Sequence, residues 1–188
     1  MNRRVLIFAD WDNTFFSAKN FNRKLDWLKL RDYLANYREG RELIEMVLYI
    51  GVPPDRERFQ EQRKQREKLI YWAKSNGFLV VVKEGKAKGE EFESNVDIVM
   101  AMDAIELALE MKPDIVVLVT GDSDFAHLAK KLRRRGIRVE VASVEQSLGN
   151  DLKNAANSII DIVEIFDALP PQNNNRDYHP IGSTNIFD

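Results

Sequence analysis

Two short apolar runs end in the same way, and that shared ending constrains the fold more than any other feature of the chain. Val116-Val117-Leu118-Val119 stops at Thr120-Gly121-Asp122, and Val5-Leu6-Ile7-Phe8-Ala9 stops at Asp10. Aliphatic and β-branched residues at consecutive positions describe strands covered on both faces, as in a parallel sheet packed between helices. Open parallel sheets bind ligands outside the carboxyl ends of their strands, at the crevice where strand order reverses. Aspartates at two such ends are therefore the first candidates for a functional site.

The rest of the pattern supports that architecture. Strands are expected at 4–9, 43–50, 78–83, 115–120 and 138–142, with a sixth at 159–166. Between them lie a short helix or loop at 14–25 and helical periodicity at 27–37. Further helices are expected over 55–76 with Asp55 as cap, 96–111 capped by Ser94 or Asn95, 123–135 and 150–157. Gly40, Gly77 and Gly136 stand where helices should stop, and 85–91 reads as a flexible charged loop. Alternating strands and helices predict a three-layer α/β/α sandwich with a mainly parallel sheet of five to six strands. Residues 1–169 suit one domain, and the breaker-rich, polar 170–188 reads as a disordered tail.

Composition narrows the chemistry. With no cysteine, thiolate sites are excluded and a metal would need oxygen or histidine ligands; the two histidines, His127 and His179, stand far apart in sequence, which argues against an all-histidine zinc site. The longest apolar runs, such as Ile115–Val119, are far shorter than the ~20 residues of a membrane span, so a cytoplasmic protein without a membrane partner is expected. Net charge is −2, which is no basic footprint for the whole chain. The cluster Lys130 to Arg135 is a local exception, and Lys130, Arg133 and Arg134 are candidate contacts for a phosphate backbone. The cluster between Arg56 and Lys68 alternates with acids and reads as a solvated face.

On the helix starting near Val96, Asp97 shares a face with Ala101, Ala104 and Ala108, beside the apolar stripe Ile98, Met102, Ile105 and Leu109. Asp103 lies ~120° away, among Glu106 and Glu110, and ranks below Asp97 as a solvated position. Asp10, Asp97 and Asp122 are thus expected to converge, with Asp124 and Asn13 beside them; Asp12 and Asp124 are also candidate helix caps. Crowded carboxylates raise one another's pKa unless a cation neutralises them. Hard oxygen ligands suit Mg²⁺ or Mn²⁺, and the matching reaction is metal-assisted phosphodiester hydrolysis.

Two family resemblances sharpen this expectation. Asp10-Trp11-Asp12-Asn13-Thr14 resembles the D-x-D-x-T motif of haloacid-dehalogenase-like phosphatases, in which the first Asp attacks phosphate and the second is acid/base. The chain departs from that family at Ala126, where a second acidic pair is usual, and no matching lysine follows. The wider resemblance is to the NYN domain, the LabA-like branch of the PIN-like nuclease superfamily, over roughly 3–166. It rests on Asp10 with Asn13, on Asn95-Val96-Asp97 through Asp103, and on Thr120-Gly121-Asp122-Ser123-Asp124-Phe125. It implies a metal-dependent ribonuclease with Mg²⁺ or Mn²⁺ at Asp10, Asp97 and Asp122. Asp124 would complete the catalytic set, Asn13 would hydrogen-bond a ligand or substrate, and Asp103 belongs to the family pattern. Single-stranded RNA is the implied partner and self-association is allowed. The alternatives are the phosphatase and a non-catalytic RNA-binding or regulatory module.

Overall fold

A computed structural model of the protein describes residues 2–23 and 25–167. Six parallel strands form the sheet: β1 (Arg3–Asp10), β2 (Arg41–Val52), β3 (Leu79–Glu84), β6 (Ile115–Val119), β7 (Arg138–Ser143) and β8 (Ser158–Asp161), in the spatial order β3-β2-β1-β6-β7-β8. The chain lays strands outward from β1 to β3 and then returns to the other side of β1. Strand order therefore reverses between β1 and β6, which pair from Val5↔Ile115 to Ala9↔Val119. This is the expected architecture, and its crevice lies between the two acidic strand ends.

Both faces of the sheet are covered. On one lie α1 (Trp11–Asn20), α2 (Trp27–Leu34), α3 (Gln60–Ser75) and α7 (Val163–Asp167), around a core that includes Val5, Ile7, Trp27, Leu48 and Val117. On the other lie α4 (Val96–Met111), α5 (Ala126–Arg133) and α6 (Asn150–Ala155), over Leu6, Phe8, Val47, Tyr49 and Leu118. Val5 to Ala9 and Val116 to Val119 are fully buried. Burying a Val, Leu, Ile or Phe side chain contributes ~1.5–3 kcal/mol, so these two runs are a main source of the sheet's stability. At the amino edge Glu140 is buried. Burial alone would raise its carboxyl, but hydrogen bonds from Arg41 (2.8 Å) and Arg138 (2.9 Å), with their charges, hold it below its ordinary value.

Several boundaries differ from expectation for local reasons. The first helix opens at Trp11, three residues early, because Asp10 caps it. Asp55 caps nothing: it accepts from Gln60 Nε2 at 2.7 Å, and α3 begins after a single 3₁₀ turn, Glu57–Phe59. The third strand is apolar at consecutive positions yet forms a sheet edge, where Leu79 and Val82 stay exposed.

The expected loop at 85–91 contains a hairpin of β4 (Lys86–Lys88) and β5 (Glu91–Glu93). Its alternation brings Ala87 opposite Phe92, while Lys88 pairs with Glu93 at 3.0 Å. The helix expected at 123–135 opens as a 3₁₀ turn, Ser123–Phe125, before α5. The sixth strand stops at Asp161 and the chain enters α7, which places Ile165 in the core. Gly77 and Gly136 follow α3 and α5 at φ 77° and 80°, left-handed values that favour glycine. The tail read at 170–188 lies outside the described residues.

Candidate functional site

Trp11 sets the geometry of the first acidic stretch. Its ring is buried and stacks on Trp27 with centroids 4.6 Å apart, anchoring the first turn of α1 in the core while Asp10, Asp12 and Asn13 remain only partly buried. Asp10 caps α1 by accepting the Asn13 amide at 3.1 Å, and Thr14 Oγ1 donates to its carbonyl at 2.8 Å. Burial pushes the Asp10 carboxyl up to about 6 from 3.8. The amides of Asn13 and Asp12 oppose that rise, and the charges of Asp12 and Asp97 add to it. Asp10 is thus a desolvated acid with like charges beside it.

At the end of β6 the turn is held from both sides. Asn13 Oδ1 accepts the Gly121 amide at 3.0 Å, and the Gly149 amide donates to the Gly121 carbonyl at 2.8 Å. A Cβ at position 121 would fall 1.9 Å from the Ser147 carbonyl oxygen, so the Thr-Gly-Asp turn requires glycine for close approach. Asp122 donates its amide to Thr120 Oγ1 (3.2 Å), and its Oδ1 accepts the Asp124 amide (2.9 Å). The caps are therefore Asp10 and Asp122, not the expected Asp12 and Asp124. Asp124 is exposed.

Asp97 lies in the first turn of α4, partly buried and near enough for its charge to act on Asp10. The helix packs through Val96, Met100, Ala104 and Ala108, whereas Ile98, Met102 and Leu109 of the apolar stripe face outward. Neither expected cap operates as foreseen: Asn95 adopts a left-handed conformation (φ 48°, ψ 47°) and its side chain makes no cap bond. Ser94 packs against β2, its Oγ 2.3 Å from where a Gly51 Cβ would stand. Asp103 is not a solvated residue. It is partly buried and accepts the Tyr49 hydroxyl at 3.1 Å, and burial followed by the Asp103 charge raises that phenol's pKa. Asp103 therefore fastens α4 to β2, at the strand position that pairs with Asp10.

The basic residues separate by edge. Because α5 runs back from the end of β6 towards the start of β7, Arg133 and Arg134 at its end lie towards the amino edge, away from the acidic crevice, while Lys130 is exposed midway along the helix. Arg133 donates to the carbonyl of Ala155 at 2.7 Å, at the end of α6. The cation beside the acids is instead Arg66 of α3, whose Nη2 pairs with Asp12 Oδ1. Sequence reasoning dismissed it as part of a charged face, and only the crossover from β2 to α3 brings it to this edge.

Among the described residues no three carboxylates form a ready-made cation cage, and no ion pair engages Asp10, Asp97 or Asp122. Mg²⁺ is ordinarily held by one or two carboxylates, with water and substrate phosphate completing its shell. A desolvated Asp10 beside Asp97, with no lysine or arginine paired to either, is a donor set that fits such an open site.

Comparisons with known proteins bear on the fold and the family. The chain is 29% identical over 167 residues to the low amplitude and bright protein LabA of Synechococcus elongatus, an alignment covering 86% of this chain and 85% of that protein. An uncharacterised protein of Methanocaldococcus jannaschii is 29% identical over 163 residues, 87% of this chain and 57% of its own length. The crystal structure of a protein of unknown function from Vibrio parahaemolyticus has the same fold, with a TM-score of 0.66 at 21% identity over 88% of this chain and 96% of that one. The NYN domain family model matches residues 4–164. This chain belongs to the NYN domain family.

Proposed function

We propose that this protein is a divalent-metal-dependent ribonuclease that hydrolyses phosphodiester bonds in single-stranded RNA. The observation that carries the reading is Asp10: a carboxyl at the strand-order switch, raised to about 6 by burial and by the charges of Asp12 and Asp97, with no basic partner among the described residues. Asp10 and Asp97 would hold Mg²⁺ or Mn²⁺ together with water and substrate phosphate, Asp122 would join them once the ion is bound, and Asp124 would complete the acidic rim. The ion's chemistry is to polarise the phosphate and make water a nucleophile near neutral pH.

The chain's own residues supply position. Asp10 and Asp122 are fixed by the helix turns they cap, and Asn13 ties the two strand ends together. Asp103 holds α4, and with it Asp97, through Tyr49. The phosphatase alternative needs Asp12 as a free acid/base, but that carboxylate is already ion-paired with Arg66.

The test is cleavage of single-stranded RNA by purified protein with Mg²⁺ or Mn²⁺. Turnover abolished by EDTA, by Asp10→Asn and by Asp122→Asn is the expected result. RNA binding without cleavage across a broad panel would leave a binding module, and turnover of small phosphomonoesters through an aspartyl-phosphate on Asp10 would leave the phosphatase.

A further inference from the structure

The arginines divide by what they hold. Arg4 donates to the carbonyls of Met111 and Lys112 at the end of α4; Arg41 and Arg138 hold buried Glu140; Arg63 bridges the Pro53 carbonyl and Glu84; Arg133 donates at the end of α6. Each braces one element against another. Arg66 also joins two elements, α3 and α1, but its hydrogen-bond partner among the described residues is Asp12, an acid that adjoins the crevice and raises the neighbouring Asp10. The two side chains retain 20% and 27% exposure, so the pair is shielded yet open to an incoming ligand.

We infer that Arg66 is the substrate-phosphate contact of this site and that Asp12 is its resting counter-ion. The inference rests on the nucleic-acid reading above and adds to it the residue that holds the phosphodiester. A guanidinium presents five donors in a planar fork that matches two phosphate oxygens, and one contact to Asp12 leaves most of that fork unused. An RNA phosphate entering beside Asp10 and Asp97 meets repulsion from those carboxylates, and Arg66, paired with the adjoining Asp12, is the cation placed to offset it. With RNA absent, Asp12 holds the guanidinium at the edge of the crevice; with RNA bound, the fork turns its free donors to phosphate. The same arrangement accounts for Asp12, the acid that the NYN motif resemblance left without a role. Asp12 Oδ2 lies 3.5 Å from where a Gly51 Cβ would stand, so the end of β2 and the start of α1 fix the pair's position together.

The experiment is fluorescence anisotropy of a short fluorescein-labelled oligouridylate with the full chain in EDTA, where nothing is cleaved, over a range of salt. Arg66→Ala is expected to weaken binding about tenfold and to lower the slope of log affinity against log salt by ~0.7, the loss of one single-strand phosphate contact. Asp12→Asn is expected to tighten binding, and Asp12→Asn/Arg66→Ala to lose that gain. Arg66→Lys, which keeps the charge without the fork, should fall between wild type and Arg66→Ala. Thermal unfolding of each variant checks folding, and if Arg66→Ala does not fold, Arg66→Lys and Asp12→Asn carry the test.

Wild-type affinity and salt slope in Arg66→Ala overturn the inference, as does wild-type protein that binds no oligouridylate. Weakened binding in Asp12→Asn overturns it too, by marking the pair as a structural brace. Arg66-dependent binding by a wild-type protein that never cleaves RNA with Mn²⁺ overturns the nuclease reading alone. Cleavage by wild type with unchanged binding by Arg66→Ala overturns this inference alone.

Discussion

Asn13 Oδ1 accepts the main-chain amide of Gly121 at 3.0 Å, a hydrogen bond between residues 108 apart in sequence. It joins the first turn of α1 to the turn after β6, so the two strand ends carrying Asp10 and Asp122 cannot move independently. Asn13 is a hook before it is a substrate contact. Its carbonyl oxygen is committed to the protein, which leaves its side-chain amide group free for a ligand.

Asn13→Ala removes that acceptor and leaves a buried amide unpaired, a loss of about 1–3 kcal/mol. Asn13→Asp keeps an oxygen in the same place. Denaturant unfolding should therefore show a clear drop for Asn13→Ala and a smaller one for Asn13→Asp, with cleavage lost in the first. Equal stability for Asn13→Ala and wild type would remove the hook from the account.

The contact between Tyr49 and Asp103 predicts an asymmetric pair of variants. Asp103→Ala strands the hydroxyl of a fully buried tyrosine, costing about 1–3 kcal/mol, whereas Tyr49→Phe removes the hydroxyl and leaves a carboxylate that water still reaches. The unfolding midpoint should fall further for Asp103→Ala than for Tyr49→Phe. Adding Tyr49→Phe to Asp103→Ala should recover part of the loss. Additive losses in the double variant would mean that the two residues act separately.

Gly121→Ala tests the closeness of the turn after β6. The new methyl would meet a main-chain oxygen, which cannot rotate away, so β6 or the segment around Ser147 must shift. Overpacking typically costs about 1–3 kcal/mol, and this contact should fall at the upper end. At Gly51 the nearest atom is the Ser94 hydroxyl. Gly51→Ala should therefore be rescued by Ser94→Gly, while Gly121→Ala has no side-chain rescue. Full stability in Gly121→Ala, measured by thermal unfolding, would contradict the packing described.

The sheet and the acidic strand ends were legible because their signals are local: an unbroken aliphatic run, then Asp. Helical spacing placed Asp97 beside Ala104 and Ala108, but the same spacing took Ile98, Met102 and Leu109 for an apolar stripe, and these three face outward. What was not legible depended on crossovers. Arg66 is 54 residues from Asp12, and nothing near either residue in sequence announces that α3 returns over the end of β2. Lys130, Arg133 and Arg134 form the denser basic cluster, but helix direction carries Arg133 and Arg134 towards the opposite edge. Asp103 sat among acids on the helical wheel, and its partner lay on a strand whose sequence carries no mark of the contact. The hairpin at 86–93 had a readable period-two pattern in Ala87 and Phe92, hidden by the charges around them.

Asp10 itself should make the metal-free protein less stable at neutral pH than it would be without the charge. Its carboxyl ionises near 3.8 when unfolded and near 6 when folded, so the folded state binds the proton more tightly. The penalty is absent well below 3.8, grows as pH rises from 3.8 to 6, and is complete above 6. A rise from 3.8 to about 6 corresponds to a penalty of about 1–3 kcal/mol for a carboxyl that solvent still partly reaches. Asp10→Asn keeps a capping oxygen for the Asn13 amide and removes the charge. In EDTA the variant should therefore be more stable than wild type at pH 7.5, and the advantage should vanish near pH 3. Adding Mn²⁺ at pH 7.5 should stabilise wild type more than Asp10→Asn, because an ion bound by the folded state alone raises its stability. Urea unfolding at the two pH values, with and without the ion, measures all of this. If Asp10→Asn were no more stable than wild type at pH 7.5 without metal, the Asp10 carboxyl would not be strained by its surroundings, and the need for a cation there would lose its physical basis.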